Sequence, residues 1–422
     1  MDTNREIFVY ADWQGLESPT LMGVLAAESL RGKEIFSFEY DKKWLSSNFV
    51  QVLDPDLQLY SGIQYLNSPE KFNFGLFLDS SPDRWGRVLM QRREAASARL
   101  EERKVQKLFE TDYLLGVFDG HRMGGLRFKL NPEGPFLNDD QLQASPPWTS
   151  IRELEQISLK LEDENAIDDP EYFQWLNMLV NPGSSLGGAR PKASVLDPQD
   201  HLWIAKFPSK ADEADIGAWE MVTYELAIAS GINMAVCQAK KFSSNYHTFL
   251  TKRFDRTVEG KRVHFTSAMT QLGYTDGADA ALGVSYLELV DFLTNNGSHV
   301  EEDLHELWRR IVFSICVSNT DDHLRNHGFL LSDGGWRLSP AYDINPIETG
   351  TGLKLNISED DNALEIDLAL EVHEFFRLNK EDAMNIVRQV KTAVSRWPAI
   401  AKSYGISKTH QEIKAPAFQA AV

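Results

Sequence analysis

The pattern that most constrains the fold is a group of polar residues that follows directly on a predicted buried helix. Apolar side chains recur at helical spacing over residues 304–315, and this stripe runs straight into the segment 319–326. A short hairpin is then predicted around residues 333–335, and a further aspartate, Asp343, lies beyond it. A loop between a buried helix and a hairpin has a rigid support, which is what a catalytic loop requires.

The residue types in this loop are those of a phosphoryl-transfer site. Asp321 and Asn326 are five positions apart, and Asp343 follows 17 positions later. In protein kinases an aspartate orients the attacking hydroxyl and accepts its proton, while an asparagine and a later aspartate hold Mg²⁺. The Asp-to-Asn spacing is that of the kinase catalytic loop, although no His-Arg precedes Asp321 and no Phe-Gly follows Asp343. The spacing therefore predicts a kinase-type site.

A second interpretation of the same loop stays open. Asp321, Asp322 and His323 could form a metal-ligand cluster in a hydrolase, because aspartate and histidine are common metal ligands. No second cluster of histidine and carboxylate residues with ligand spacing supports this interpretation. The chain also lacks G-x-S-x-G and H-E-x-x-H motifs.

Upstream segments supply candidates for nucleotide binding. Gly187 and Gly188 lie in a glycine-containing segment where backbone N–H groups could approach phosphate oxygens. Lys206 lies in the otherwise apolar strand-like run 203–207, so its charge needs a partner or solvent. In a kinase the partners are the nucleotide phosphates and a helix glutamate, for which Glu220 is the nearest candidate. The alternatives are an ordinary turn and an edge-strand lysine that points to water.

The run Arg253-Phe254-Asp255-Arg256 ends a predicted strand. It could form a hinge between two lobes, where the backbone groups of Arg253 and Phe254 would hold an adenine. A structural Arg–Asp pair is the alternative from sequence.

Composition narrows the class of protein. The net charge is −19, from 43 basic and 62 acidic residues, and such a chain is a poor general nucleic-acid binder. Only Cys237 and Cys316 are present, which argues against a disulfide scaffold. The first residues lack a basic segment followed by an apolar one, and no apolar run is long enough to cross a bilayer. We expect a cytoplasmic protein.

The predicted elements suggest two domains. Prolines and glycines among residues 131–147 mark a boundary, giving an N-terminal α+β domain over residues 1–148 and a second domain over residues 149–422. The predicted elements are strands at 7–10, 21–25 and 35–40, a charged helix capped by Ser81, a hairpin of 193–196 with 202–207, a helix along Trp219, Val222, Leu226 and Ala229, and a strand pair of 247–254 with 262–265.

Taken together, the motifs resemble the HipA-like Ser/Thr kinases, the toxins of bacterial toxin–antitoxin pairs. The resemblance is carried by Gly23-Val24-Leu25, Phe36 to Tyr40, Ser185 to Lys192, Ala205-Lys206-Phe207, Arg253 to Arg256, Asn319 to Asn326 and Leu338 to Ile344. It implies an α+β, two-lobed protein-kinase-like fold with an additional N-terminal α+β domain and a mostly helical C-terminal lobe.

The resemblance also implies roles for individual residues. Asp321 would be the catalytic base, Asn326 and Asp343 the Mg²⁺ ligands, and Lys206 the lysine that binds the phosphates of ATP. In this family a serine of the glycine-containing loop is autophosphorylated, which inactivates the kinase. The matching residue is Ser185, with Ser184 as the adjacent alternative.

The family's biology implies partners. The substrate would be a component of translation, typically an aminoacyl-tRNA synthetase, and the outcome would be growth arrest and persistence. A helix-turn-helix antitoxin resembling HipB would bind the chain, and DNA would be contacted only through that antitoxin. Two rival functions remain, a small-molecule phosphotransferase and a catalytically idle protein that binds an antitoxin and modulates repression.

Overall fold

The computed structural model describes residues 4–66, 68–141, 144–180 and 190–421. The chain divides into two compact units. Unit 1 comprises Met1–Lys210 and Asp255–Thr266, and unit 2 comprises Ala211–Phe254 and Ser267–Val422. The predicted domain boundary between residues 148 and 149 lies inside unit 1 and stays a prediction.

Unit 1 is built on an antiparallel sheet, and its helices lie between the strands of this sheet and after them in the chain. Its strands are β1 (Asn4–Ala11), β2 (Thr20–Leu30), β3 (Lys33–Tyr40), β4 (Ile63–Tyr65), β5 (Leu126–Lys129), β6 (Lys192–Leu196) and β7 (Leu202–Lys206). Its helices are α1 (Lys42–Leu45), α2 (Gly75–Leu78), α3 (Arg84–Leu100), α4 (Glu110–Gly116), α5 (Ile151–Leu161) and α6 (Tyr172–Leu179). The first five strands form one sheet in the order β4-β3-β2-β1-β5.

The period-2 pattern of the first strands explains this sheet. Ile7, Val9 and Ala11 on β1 are fully buried, while the residues between them are partly exposed. Phe36 and Phe38 on β3 are buried in the same alternating way. One face of the sheet therefore carries the core of unit 1, as the alternation of apolar and polar residues predicts.

The long charged helix is present as α3, but its predicted cap is wrong. The N-cap is Asp83, whose side chain accepts the N–H of Gly86 at 2.8 Å. The hydroxyl of Ser81 instead donates to the carbonyl of Phe77 at 2.8 Å, at the end of the preceding short helix α2. Serine and aspartate both cap helices well. Asp83 is the residue that immediately precedes the first turn of α3.

Unit 2 is mostly helical. Its helices are α7 (Ile216–Ala229), α8 (Ala268–Gln271), α9 (Tyr286–Asn296), α10 (Val300–Val317), α11 (Ile366–Glu371), α12 (Lys380–Val394), α13 (Trp397–Ser403) and α14 (Lys408–Lys414). Its strands are β8 (Cys237–Lys240), β9 (Thr248–Lys252), β11 (Gly328–Ser332) and β12 (Gly335–Leu338), while β10 (Phe265–Ser267) lies where the chain passes from unit 1 to unit 2. Among the helices that the structure describes, none combines the length and apolar character needed to cross a membrane.

Two predicted hairpins are confirmed and one strand pairing is wrong. β6 pairs with β7, and β11 pairs with β12, each antiparallel. The strand predicted at 247–254 is β9, but it pairs with β8, with Thr251 opposite Cys237. The predicted partner, residues 262–265, lies within the segment 255–266 of unit 1, where Arg262 forms an isolated antiparallel bridge with Arg256. Pairing between strands depends on tertiary contacts, which local alternation does not encode.

One histidine of unit 1 is buried without a charge. The ring of His264 stacks on Trp13 with centroids 4.9 Å apart, and its Nδ1 accepts the N–H of Gly125 at 3.4 Å. Burial lowers the pKa of His264 to about 3. The unfolded chain therefore takes up a proton near pH 6.5, whereas the folded chain does not until about pH 3.

We predict that His264 makes the protein less stable on acidification between about pH 6.5 and 3, by up to about 1.4 kcal/mol per pH unit. His264→Gln removes this titration, so the free energy of unfolding of the variant should fall less steeply over that range. Urea unfolding at a series of pH values measures both slopes. His299→Gln, at an exposed histidine, is the control and should keep the wild-type slope. Equal slopes for wild type and His264→Gln would contradict the prediction.

Candidate active site

The segment that carries the predicted catalytic residues begins at the buried end of α10. The C-terminal half of this helix is buried, and Ser318 ends it with a left-handed backbone at φ 51°. The N–H of Asn319 donates back to the carbonyl of Ser314 at 2.9 Å, and Asn319 is itself 1% exposed. The loop therefore starts from a fixed point in the core of unit 2.

The two adjacent aspartates of the loop have opposite environments. Asp321 is exposed, whereas Asp322 is 5% exposed. Asp322 accepts a hydrogen bond from the hydroxyl of Tyr286, the first residue of α9, at 2.6 Å. Its other oxygen lies 3.1 Å from Nε2 of His327. Asp322 thus supports the loop from inside, and Asp321 presents its carboxylate to solvent.

These contacts keep Asp322 ionised. Burial alone would raise the pKa of this carboxyl, because water no longer solvates its charge. The charge and hydrogen bond of His327 and the hydroxyl of Tyr286 outweigh burial and lower the pKa of Asp322. A buried carboxylate held in this way ties α9, the loop and the residue just before β11 together.

Asn326 presents an oxygen that the protein leaves available. Residues 324–326 form a short 3-10 turn, and Nδ2 of Asn326 donates to the carbonyl of Asp321 at 3.0 Å. Its Oδ1 is buried, and within the part of the chain that the structure describes it has no hydrogen-bond partner. A buried oxygen of this kind is costly unless a ligand satisfies it.

Asp343 is positioned by the segment that follows β12. The guanidinium of Arg310, on α10, donates to the carbonyl of Ser339 at 2.8 Å. Asp343 itself has a left-handed backbone at φ 56°, and Nδ2 of Asn345 donates to its Oδ1 at 3.2 Å. The N–H of Asn345 also donates to Oδ1 of Asn319 at 3.3 Å. The segments that carry Asp321 and Asp343 are therefore connected by hydrogen bonds.

The residues of the predicted hinge are divided between the two units. Phe254 lies in unit 2, where its ring is 5.5 Å from that of Tyr342, and Arg253 is buried. The hydroxyl of Tyr342 donates to the carbonyl of Arg325 at 2.7 Å, so Phe254 contacts the residue that braces the loop. Asp255 and Arg256 lie in unit 1 and form the structural Arg–Asp pair at 2.6 Å.

Lys206 is buried in unit 1, at the end of β7, so it does not point to water as an edge-strand lysine would. Lys192 lies directly opposite Lys206, on β6. No local pattern in the sequence indicates its structural role. Nζ of Lys192 lies 2.8 Å from Oδ2 of Asp83, the N-cap of α3. Glu220 is also buried, but it lies in unit 2, and its pairing with Lys206 stays a prediction.

The oxygen ligands that the loop offers suit Mg²⁺. Mg²⁺ prefers carboxylate and carbonyl oxygens, and Oδ1 of Asn326 and the carboxylate of Asp343 are of this kind. Among the residues that the structure describes, no group of three or more His, Cys, Asp or Glu side chains could hold a metal ion. The hydrolase-type cluster of Asp321, Asp322 and His323 therefore finds no support.

The predicted phosphate-binding and autophosphorylated residues lie outside the described residues. These are Ser184, Ser185, Gly187 and Gly188.

We predict that Tyr286→Phe destabilises unit 2, because it removes a hydrogen-bond donor from a buried charge. The expected loss in the free energy of unfolding is about 1.5–3 kcal/mol. Chemical denaturation measures it. Tyr274→Phe is the matched control, since the hydroxyl of Tyr274 donates to Glu288 in a less buried setting, and it should cost clearly less. Equal losses for both variants would contradict a special role for Asp322.

Comparison with known proteins identifies relatives of this chain. A protein of Haemophilus influenzae named "Putative kinase" is 26% identical over 179 residues, which are 38% of this chain and 52% of the relative. The chain thus spans about half the length of the curated relative that it matches.

Solved structures that are similar to this chain include the following two. HipA of Shewanella oneidensis MR-1, in a complex with HipB and its operator DNA, has a TM-score of 0.64 and 17% identity, over 98% of this chain and 95% of that one. The Helicobacter pylori proinflammatory kinase CtkA has a TM-score of 0.42 and 15% identity, over 56% of this chain and 89% of that one. The likeness to HipA confirms the predicted α+β fold.

The family model of the HipA-like C-terminal domain matches residues 184–397. This range is just over half of the chain and includes Lys206, Asp321, Asn326 and Asp343. The chain therefore belongs to the family of proteins with the HipA-like C-terminal domain.

Proposed function

We propose that the protein is an ATP- and Mg²⁺-dependent serine/threonine protein kinase of the HipA type. The observation that carries the proposal is the pairing of an exposed Asp321 carboxylate with an Asn326 side chain that is fixed to the carbonyl of Asp321. Within the described residues, the buried Oδ1 of Asn326 has no hydrogen-bond partner and is therefore available to a ligand. Membership of the HipA-like family supports the same conclusion.

The mechanism assigns one task to each side chain. Asp321 orients the substrate hydroxyl and accepts its proton as the oxygen attacks the γ-phosphorus, and ADP leaves. Asn326 and Asp343 would hold Mg²⁺, which neutralises charge on the phosphates when it is bound. Lys206 would contact the phosphates of ATP, as the corresponding strand lysine does in kinases.

The loop is organised before substrate binds. Asp322 supports the loop from the interior through its contacts with Tyr286 and His327. The hydroxyl of Tyr342 donates a hydrogen bond to the carbonyl of Arg325. A fixed base and fixed oxygen ligands lower the cost of reaching the transition state, because little reorganisation remains.

Family membership also supports a proposal for the partner and the substrate. Shewanella HipA is in a complex with HipB and operator DNA, which supports a helix-turn-helix antitoxin as the partner of this chain. With a net charge of −19 the chain would reach DNA through that antitoxin. We propose a component of translation, such as an aminoacyl-tRNA synthetase, as the substrate.

Autophosphorylation of Ser185, or of the adjacent Ser184, would switch the kinase off. A phosphate adds about −1.5 to −2 charges. In a loop beside ATP it would be repelled by the phosphates of the nucleotide and would favour a displaced loop.

We predict that Asp321→Asn lowers phosphate transfer by about 10²–10⁴-fold, because the variant has no base to orient and deprotonate the hydroxyl. The assay follows phosphate incorporation from Mg·ATP into the protein itself and into cell-extract proteins. Asp333→Asn, an exposed aspartate in the turn between β11 and β12, is the control and should keep wild-type activity.

If wild type and Asp321→Asn transfer phosphate equally, the catalytic assignment fails. Transfer to small hydroxylated compounds but to no protein would favour a small-molecule phosphotransferase. Failure of the wild type to bind Mg·ATP would favour an idle antitoxin-binding protein.

We further predict that Ser185→Ala abolishes self-modification, because it removes the accepting hydroxyl, and leaves ATP binding intact. Mass spectrometry of wild type after incubation with Mg·ATP locates the phosphate, and Ser184→Ala is the matched control. A phosphate found on Ser184 or on another residue would overturn the assignment.

A further inference from the structure

Unit 1 contains a cavity of about 580 Å³ formed by side chains of α3, α4 and α6. Its apolar lining includes Met90 on α3, Leu115 on α4 and Phe173 on α6. Of the described residues assigned above to phosphate transfer, none lines it. A cavity of this volume is in the range that small-molecule ligands occupy.

Two of the carboxylates in the lining are already engaged. Glu94 binds Arg103 through both oxygens and also accepts the N–H of Gln106. Asp112 binds Arg5 at 2.8 Å and accepts the N–H of Phe109 at 2.9 Å. The carboxylates of Glu94 and Asp112 are therefore held in place by contacts within unit 1.

Two donors in the lining are not engaged in this way. Arg93 on α3 and Asn177 on α6 are half-buried, and in the described part of the chain neither side chain makes a hydrogen bond or an ion pair within 4 Å. Burial lowers the pKa of Arg93, and Asp140 and Glu94 oppose that effect from a distance. The cavity thus combines an apolar interior with a cation and an amide that have no direct partner among the described residues.

We propose that this cavity binds a small molecule that carries a single carboxylate on an apolar body. The carboxylate would accept hydrogen bonds from the guanidinium of Arg93 and the amide of Asn177, and the apolar body would contact Met90, Leu115 and Phe173. Arginine is suited to this task because its planar fork of donors matches a carboxylate.

The carboxylates around the cavity disfavour ligands that carry several negative charges. Glu94, Asp112 and Asp140 all line it, and they would repel a nucleotide or another polyanion. A neutral apolar molecule would cover the donors of Arg93 without pairing with them, which costs free energy. The proposal stands independently of kinase activity.

The test is calorimetric titration of the full-length protein with 4-phenylbutyrate and, as the uncharged counterpart, with 4-phenyl-1-butanol. We expect the acid to bind at least about tenfold more tightly than the alcohol, because only the acid offers a charged acceptor. Arg93→Gln should weaken binding of the acid at least about tenfold, and Asn177→Ala should weaken it by a smaller factor.

Arg99→Gln is the matched control, since Arg99 lies on the same helix with an exposed side chain that faces Asp168. It should bind the acid as the wild type does, and thermal unfolding should show that each variant is folded. Absence of binding to wild type would overturn the proposal, as would equal affinity for acid and alcohol. Unchanged affinity in both Arg93→Gln and Asn177→Ala would also overturn it.

Discussion

The carboxylate of Asp322 lies in the interior of unit 2 between the hydroxyl of Tyr286 and the ring of His327. An isolated charge in such a place would cost several kcal/mol, so these two contacts are required for the loop to adopt this conformation. Because Asp322 is held inward, its neighbour Asp321 faces outward and is exposed. The conformation of the segment 319–326 depends on this buried group.

Left-handed backbone conformations mark both ends of the site. Ser318 ends α10 and Asp343 follows β12, and both have φ angles above +50°. Such conformations cost of order 1–3 kcal/mol for residues other than glycine and persist only where packing enforces them. The packing is supplied by the buried half of α10 and by Arg310, which holds the carbonyl of Ser339. Strain at both ends is consistent with a site in which position matters more than local stability.

Local patterns in the sequence predicted local structure well. The hydrophobic stripe of α10 and the hairpins β6–β7 and β11–β12 follow from periods of 3.6 and 2 residues, which each segment carries by itself. The errors came where two local choices compete or where a distant partner decides. Ser81 and Asp83 can both cap a helix, and only the chain geometry selects Asp83. The strand β9 pairs with β8 because of the tertiary fold, and nothing in its own residues indicates that partner.

The sequence by itself determined the spacing of Asp321, Asn326 and Asp343, on which the predicted phosphoryl-transfer chemistry rests, because residue identity and separation are local properties. Only the tertiary structure decided how these groups are supported. Lys192 meets Asp83 across 109 positions, and Tyr286 meets Asp322 across 36. The tertiary structure also decided that Oδ1 of Asn326 is buried and that Arg93 lines a cavity. Burial and long-range contacts arise from the packing of distant segments, so no local pattern records them.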